Sequence, residues 1–311
     1  MTRYLISIAV VVAVFLSACD SLAPENAEMD AAIEIALENA AQAPVRPPPP
    51  PGDGRSLIEP SSIQSYKTVG DSELSAHIFT PDGHSTSDKI AALIFMHGGG
   101  LRQGSPQQGY DLAARLIPEG IAVVSIAYRL LDTPDRTLDE IISDAKSSVR
   151  WLRENASDLG IDPDRIVMSG HSAGAYLALT TGVIDEFDEI TENLEVSSVP
   201  NHMILWSVPV SRTDNSENSM VPEGYSMDDF VPANYVAADM PPALFIHGNA
   251  DTTVAFEPAM AFHQQYGEAG NQTKFHLISG ADHFFRRPEH RSQVFTLISN
   301  YLVSLGYASI E

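Results

Sequence analysis

Continuous apolar runs alternate with helix-spaced apolar residues along residues 61–311 of the chain. Short continuous runs are typical of strands that are buried on both faces of a sheet. They predict strands at 90–96, 121–127, 166–168, 202–208, 243–247 and 275–278. Two earlier segments, 64–69 and 74–80, predict two strands that pair antiparallel at one edge of the sheet.

Helices are predicted between these strands. The segment 138–155 has the clearest helical period, because six apolar residues between Leu138 and Leu152 fall on one face. Further helices are predicted at 110–117, from 173 onward, at 256–269 and at 289–305. Strands that alternate with helices indicate an α/β fold, a mostly parallel sheet with helices on both faces. The irregular segments 101–110 and 209–240 are expected to build the walls of a substrate pocket.

Residues 1–18 have the character of a lipoprotein signal peptide. A basic start is followed by an apolar run of thirteen residues at 4–16, which is shorter than the ~20 residues that span a bilayer. The run ends in Leu-Ser-Ala-Cys, which resembles a bacterial lipobox and implies lipidation of Cys19. We therefore expect a lipid-anchored protein of the bacterial cell envelope, with its folded domain outside the cytoplasm. The alternative is an ordinary secretory signal followed by a stray cysteine.

Residues 19–60 are interpreted as a tether between the membrane and a domain at 61–311. The stretch 25–43 is rich in Ala and Glu, and 47–51 is an unbroken proline run that favours polyproline II. A spacer is the simpler interpretation. The other is that residues 25–43 fold over the active site as a lid.

Charge and cysteine content exclude several classes of function. The formal net charge is −23, which disfavours nucleic acid and anionic lipid surfaces as partners. Cys19 is the only cysteine, so no internal disulfide and no cysteine-based metal site can form. No metal-ligand spacing, phosphate loop or dinucleotide fingerprint is present, and no cofactor or metal is expected.

One segment combines a strand, a tight turn and a helix. Gly170-His171-Ser172-Ala173-Gly174 follows an apolar strand and precedes an Ala- and Leu-rich helix. This is the context of a nucleophile elbow, in which a strained turn exposes a serine hydroxyl. The glycines avoid a Cβ where the turn is tightest. Ser172 is therefore the candidate nucleophile.

Five motifs in one order make the chain similar to the α/β-hydrolase esterases. Within them it most resembles the hormone-sensitive-lipase-like branch and the bifunctional feruloyl and acetyl esterases. The motifs are His97-Gly98-Gly99-Gly100, Ala127-Tyr128-Arg129-Leu130, Gly170-His171-Ser172-Ala173-Gly174, Gly248-Asn249-Ala250-Asp251 and Gly280-Ala281-Asp282-His283. One departure is His171, where the hormone-sensitive-lipase-like branch usually has an acidic residue.

The resemblance implies a catalytic triad. His283 has the chain order and the loop placement expected of the general base that activates Ser172. Asp251 follows a strand and is expected to orient the imidazole. Asp282 is the competing carboxylate, but its position next to His283 in sequence makes productive pairing awkward.

The same resemblance implies an oxyanion hole. Its expected donors are the backbone N–H groups of Gly98, Gly99 and Ala173, because glycines let the backbone face a developing negative charge. His97 is expected to brace this loop without transferring protons.

These expectations together predict a serine hydrolase that cleaves carboxylic esters of small to medium acyl chains through an acyl-enzyme. The expected partner is a small-molecule ester, together with a membrane contacted through Cys19; the sequence leaves the oligomeric state open. An amidase or peptidase with the same triad is the alternative. A catalytically silent envelope binding protein is a further, weaker one.

Overall fold

The computed structural model describes residues 58–210 and 220–309. The predicted signal peptide, Cys19, the tether to residue 57 and the possible lid at 25–43 lie outside the described residues. So does the segment 211–219 of the predicted pocket wall. The remaining predictions of secondary structure fall within the described ranges.

Eight strands form one sheet, and this confirms the predicted α/β fold class. The strand order is β1-β2-β4-β3-β5-β6-β7-β8, with β1 and β2 antiparallel at one edge and all pairs from β4 to β8 parallel. The strands are β1 Ser62–Val69, β2 Ser72–Phe79, β3 Ile90–Met96, β4 Ala122–Ile126, β5 Ile161–His171, β6 His202–Trp206, β7 Ala243–Gly248 and β8 Thr273–Ile278. Because parallel strands share a direction, the loops after β3, β5, β7 and β8 meet at one edge of the sheet.

Five α-helices cover the two faces of the sheet within the described ranges. They are α1 Tyr110–Leu116, α2 Leu138–Glu154, α3 Ala173–Val183, α4 Phe256–Glu268 and α5 Pro288–Ser304. These bounds lie close to the predicted ones. Helix α2 begins at a capping box, in which the Thr137 N–H donates to Glu140 Oε2 at 2.9 Å.

Strand β5 begins earlier than the sequence predicts. Ile161 pairs with Ile90, and the register then shifts so that Ile166 pairs with Ala92. Asp162 and Arg165 lie between these pairs and form an ion pair at 2.9 Å. Their polarity conceals this first part of the strand, because the apolar run in the sequence starts only at Ile166.

The core on one face of the sheet joins the central strands to α1 and α5. Leu93, Val167 and Ile204 point into it and are fully buried. The other face is covered by α2 and α3. Every residue of α3 is buried, so its burial is not one-sided. Because α3 is packed on all sides, the residues that directly follow Ser172 are held in place.

A buried carboxylate ties α2 to the strands beneath it. Asp144 is fully buried, and its two oxygens accept hydrogen bonds from the Arg129 guanidinium at 2.7 Å. The ammonium of Lys67, on β1, lies 3.0 Å from the same carboxylate. Arg129 also pairs with Glu140 at 2.8 Å and Lys67 with Glu189 at 3.3 Å, but both of these carboxylates are partly exposed, so Asp144 is the fully buried counter-ion that the two cations share.

We expect Asp144→Asn to lower the free energy of unfolding by about 3–5 kcal/mol, because it removes the fully buried carboxylate that two buried cations share. Urea denaturation measures this change. Asp111→Asn is the matched control: Asp111 pairs with Arg291 at 2.8 Å, but both side chains are about half exposed. Loss of that pair should change stability by about 1 kcal/mol or less. Equal effects of the two substitutions would contradict the role given to Asp144.

Candidate active site

The turn at Ser172 is strained and tightly packed. Ser172 has φ 55° and ψ −121°, a backbone conformation that residues with a Cβ rarely adopt. A Cβ on Gly174 would lie 2.0 Å from the carbonyl oxygen of Met96. A Cβ on Gly170 would lie 2.3 Å from the backbone of Gly174. Both elbow glycines are therefore required by close approach of the backbone.

The structure brings the three predicted triad side chains together. His283 Nε2 lies 2.9 Å from Ser172 Oγ, and His283 Nδ1 lies 2.7 Å from Asp251 Oδ2. Ser172 lies between β5 and α3, Asp251 follows β7, and His283 follows β8. This geometry suits transfer of the hydroxyl proton to the imidazole, with the carboxylate holding the Nδ1–H tautomer.

Asp251 is held in its ionised form. Burial would raise the pKa of its carboxyl group, but hydrogen bonds outweigh burial and hold the pKa well below its ordinary value. The donors are His247, His283 and the backbone N–H groups of Val254 and Thr253. An ionised carboxylate at this position can stabilise an imidazolium on His283.

Asp282, the competing carboxylate, has other partners. Its oxygens accept hydrogen bonds from the backbone N–H and the guanidinium of Arg286, at 2.9 and 3.0 Å. Of the two aspartates, only Asp251 is in hydrogen-bond contact with the His283 ring among the described residues.

Two further histidines support the triad. His247 is buried, and its Nε2 lies 3.3 Å from Asp251 Oδ2 and 3.0 Å from the carbonyl of Val254. The nearness of His247 to Asp251 is a tertiary contact that no local pattern reveals.

His171 joins the nucleophile strand to the loop of the base. Its Nε2 lies 2.7 Å from the backbone carbonyl of His283, so this nitrogen carries the proton and donates. Burial lowers the pKa of His171 to about 4, which keeps the ring neutral at physiological pH. The sequence marked this position only as a departure from an acidic residue; the structure gives it a positioning contact.

The three predicted oxyanion donors differ in their surroundings. The N–H of Gly98 donates to the side-chain oxygen of Gln108 at 3.1 Å in this structure. Gly99 has φ 128°, and Ala173 is the first residue of α3, where helix N–H groups lack intrahelical acceptors. The role of Gly98, Gly99 and Ala173 as donors stays a prediction. His97 braces the loop, as its Nδ1 lies 3.0 Å from the Gly98 carbonyl.

Two cavities lie among the described residues at this edge of the sheet. One has a volume of about 230 Å³ and is lined by His171, Gln108, Trp206 and the exposed ring of Phe284, among others. The second, of about 210 Å³, is lined by Arg102, Leu131 and Met220, among others. Gln108 and Arg102 come from the predicted wall 101–110, and Met220 comes from 209–240.

Within residues 58–210 and 220–309, no cluster of His, Cys, Asp or Glu side chains is arranged to hold a metal ion. In the same ranges, no helix has both the length and the apolar character needed to cross a membrane.

In sequence, the chain is similar to one family model and to several proteins named as esterases or hydrolases. The BD-FAE family model matches residues 77–208, from β2 to the end of β6 and slightly beyond. Esterase LipQ of Mycobacterium tuberculosis is 28% identical over 215 residues, covering 63% of this chain and 51% of that protein. Ethyl acetate hydrolase of Pseudomonas putida is 24% identical over 254 residues, covering 74% and 77%. The chain spans about half the length of the curated mycobacterial esterases that it matches.

Comparison with solved structures defines the class of fold. Apo esterase 2 of Thermogutta terrifontis superposes with a TM-score of 0.76 at 28% identity, covering 84% of this chain and 99% of that one. Structures of the same esterase contain propionate or butyrate, or are phosphonylated by cyclosarin. The eight-stranded, mostly parallel sheet with helices on both faces is thus an α/β-hydrolase fold.

We expect Gly174→Ala to lower both stability and the yield of folded protein, because its Cβ would collide with the carbonyls of Met96 and His97. Gly267→Ala is the control, since this glycine lies in α4 and its added Cβ would be 3.5 Å from Thr273 Cγ2. Alanine is a better helix former than glycine by about 1 kcal/mol, so the control should be neutral or stabilising. Thermal denaturation compares them; a Gly174→Ala protein with unchanged melting temperature would contradict the packing argument.

Proposed function

We propose that this chain is a serine carboxylesterase, which hydrolyses esters of small to medium acyl chains through an acyl-enzyme. The observation that carries the proposal is the continuous hydrogen-bonded relay from Asp251 through His283 to Ser172. The α/β-hydrolase fold and the esterase names of the relatives support the same conclusion.

In the first half of the reaction, Ser172 Oγ attacks the ester carbonyl carbon while His283 Nε2 takes the hydroxyl proton. The resulting tetrahedral oxyanion accepts hydrogen bonds from the N–H groups of Gly99 and Ala173. The C–O bond to the alcohol then breaks. The alcohol leaves with the proton from His283, and the acyl group stays on Ser172 as an ester.

In the second half, water attacks the acyl-enzyme and His283 accepts its proton. Collapse of the second tetrahedral intermediate releases the carboxylic acid, and Ser172 regains its proton from His283. Through both halves the ionised Asp251 stabilises the transient imidazolium. The ring of His283 is buried, so this attraction acts with little screening by water.

The proposed acyl range draws on the relatives. One relative is named for ethyl acetate, and the Thermogutta esterase binds propionate and butyrate. Short acyl groups fit all of these observations.

We expect Ser172→Ala to reduce kcat for p-nitrophenyl acetate by at least about 10³-fold, since removal of the nucleophile leaves only binding and oxyanion stabilisation. A fluorophosphonate probe should label the unaltered protein and fail to label this variant. The control is Ser157→Ala, because Ser157 is exposed and lies in a turn remote in sequence from the elbow. Full activity in the Ser172→Ala variant would exclude the proposed mechanism.

We also propose that Cys19 is lipidated and anchors the enzyme in the bacterial cell envelope. Support comes from the apolar run at 4–16 and the Leu-Ser-Ala-Cys sequence that ends at Cys19. Attachment of several acyl chains to one cysteine would make membrane binding stable.

We expect the full-length protein expressed in a Gram-negative host to sediment with membranes and to incorporate an alkyne-labelled fatty acid. Cys19→Ala should abolish the label and move the protein to the soluble fraction, because the acceptor thiol is gone. Ser17→Ala, two residues away, should leave both properties unchanged. Labelling that persists in the Cys19→Ala variant would contradict the anchor.

A further inference from the structure

Two consecutive peptide groups beside the nucleophile are held by specific side chains. In the first, between His97 and Gly98, the carbonyl accepts a hydrogen bond from the Tyr128 hydroxyl at 2.6 Å. The N–H of the same peptide donates to Gln108 Oε1 at 3.1 Å. In the second, between Gly98 and Gly99, the carbonyl faces His97 Nδ1 at 3.0 Å and Gln108 Nε2 at 3.4 Å.

Three of the four polar groups in these peptides therefore have partners. The fourth is the N–H of Gly99, which makes no hydrogen bond with any other described residue. In a planar trans peptide the N–H points opposite to the carbonyl. The contacts that fix the Gly98 carbonyl thus also fix the direction of the Gly99 N–H, away from Gln108 and His97.

The loop lies against the nucleophile. A Cβ built on Gly98 would be 3.5 Å from Ser172 Cβ and 3.0 Å from the carbonyl oxygen of His171. The Gly98–Gly99 peptide is therefore next to the place where an ester carbonyl must sit when Ser172 attacks it.

Gln108 is itself held on a rigid support. It belongs to the short helical turn Pro106–Gly109, whose Pro106 carbonyl accepts a hydrogen bond from the buried Ser125 hydroxyl at 2.7 Å. A Cβ on Gly109 would lie 2.7 Å from the ring of Phe95, so this turn packs closely on β3 and β4. The orientation of the Gln108 amide is also fixed, because only its oxygen can accept from the Gly98 N–H.

We propose that Gln108 is a positioning residue of the oxyanion hole. Its amide hydrogen-bonds to both the N–H and the carbonyl of Gly98, and this directs the N–H of Gly99 toward the developing oxyanion. This inference rests on the proposed esterase function and adds to it a residue that does not touch the substrate's reacting atoms. The carbonyl of Gly98 is also polarised by its two donors, which strengthens the N–H of Gly99 as a donor.

The test compares Gln108→Ala and Gln108→Met with Gln107→Ala. Methionine keeps the length of the side chain and removes both hydrogen bonds. Gln107 is the matched control, because it is exposed on the same turn and makes no side-chain hydrogen bond to another described residue. Misplacing a donor matters mainly in the transition state, so we expect kcat for p-nitrophenyl acetate to fall about tenfold or more in both Gln108 variants. KM should stay within about twofold, and Gln107→Ala should match the unaltered enzyme.

A second readout separates positioning from general loosening of the fold. A trifluoromethyl ketone forms a tetrahedral adduct with a serine nucleophile, and the oxyanion of that adduct occupies the same hole. Its inhibition constant should weaken by the same factor as kcat/KM in the Gln108 variants, while the melting temperature stays that of the Gln107→Ala control.

Two results would overturn the proposal. One is a kcat within threefold of the unaltered enzyme in both Gln108 variants. The other is a loss of kcat with unchanged affinity for the ketone. Neither result would touch the proposed esterase function, which fails instead if the unaltered protein has no activity that depends on Ser172. If Gln108→Ala folds poorly, the Gln108→Met variant decides the matter.

Discussion

The start of α3 packs against the end of β3 through the main chain at Gly174. At Gly174 the helix comes so close to the carbonyls of Met96 and His97 that no side chain fits between them. This contact sets the distance between the nucleophile elbow and the glycine loop, which belong to different parts of the chain. Ser172, the N–H of Ala173 and the Gly98–Gly99 peptide are therefore placed by one constraint. Because it is a contact of main chains, it leaves little freedom for rotamers or loop motion to disturb their geometry.

His283 is held next to Ser172 by polar contacts. His283 is held at its ring by Asp251 and at its backbone by His171, whose neutral imidazole donates to the His283 carbonyl. His171 is adjacent to Ser172, so one strand end carries the proposed nucleophile and also the side chain that holds the loop of the proposed base. Asp251 in turn accepts hydrogen bonds from backbone N–H groups and lies beside His247. His283 thus has two partners that do not themselves react, and such partners keep the geometry of a site.

The sequence predicted those features that have a local signature. Buried runs located β3 and β4, and helical spacing located α2, because periodicity survives in a single chain. Ser172, Asp251 and His283 could be proposed because a known motif order accompanied them. Gln108 and His247 could not, since their importance comes from residues distant in sequence, and nothing in a short exposed turn or a buried strand marks them. The hydrogen bond from Gly98 to Gln108 has the same origin: a glycine motif shows where the backbone is free of side chains, but not which N–H has an acceptor. The first part of β5 was missed because Asp162 and Arg165 interrupt its apolar run.

The backbone angles of Ser172 carry a consequence for how such a protein can change. A residue held in so sparsely populated a conformation costs the fold of order 1–3 kcal/mol, and only glycine would escape that cost. Glycine, the substitution that would relieve this strain, is thus one that removes the hydroxyl of Ser172. A serine at these angles therefore gives up stability for the hydroxyl that the proposed esterase mechanism requires.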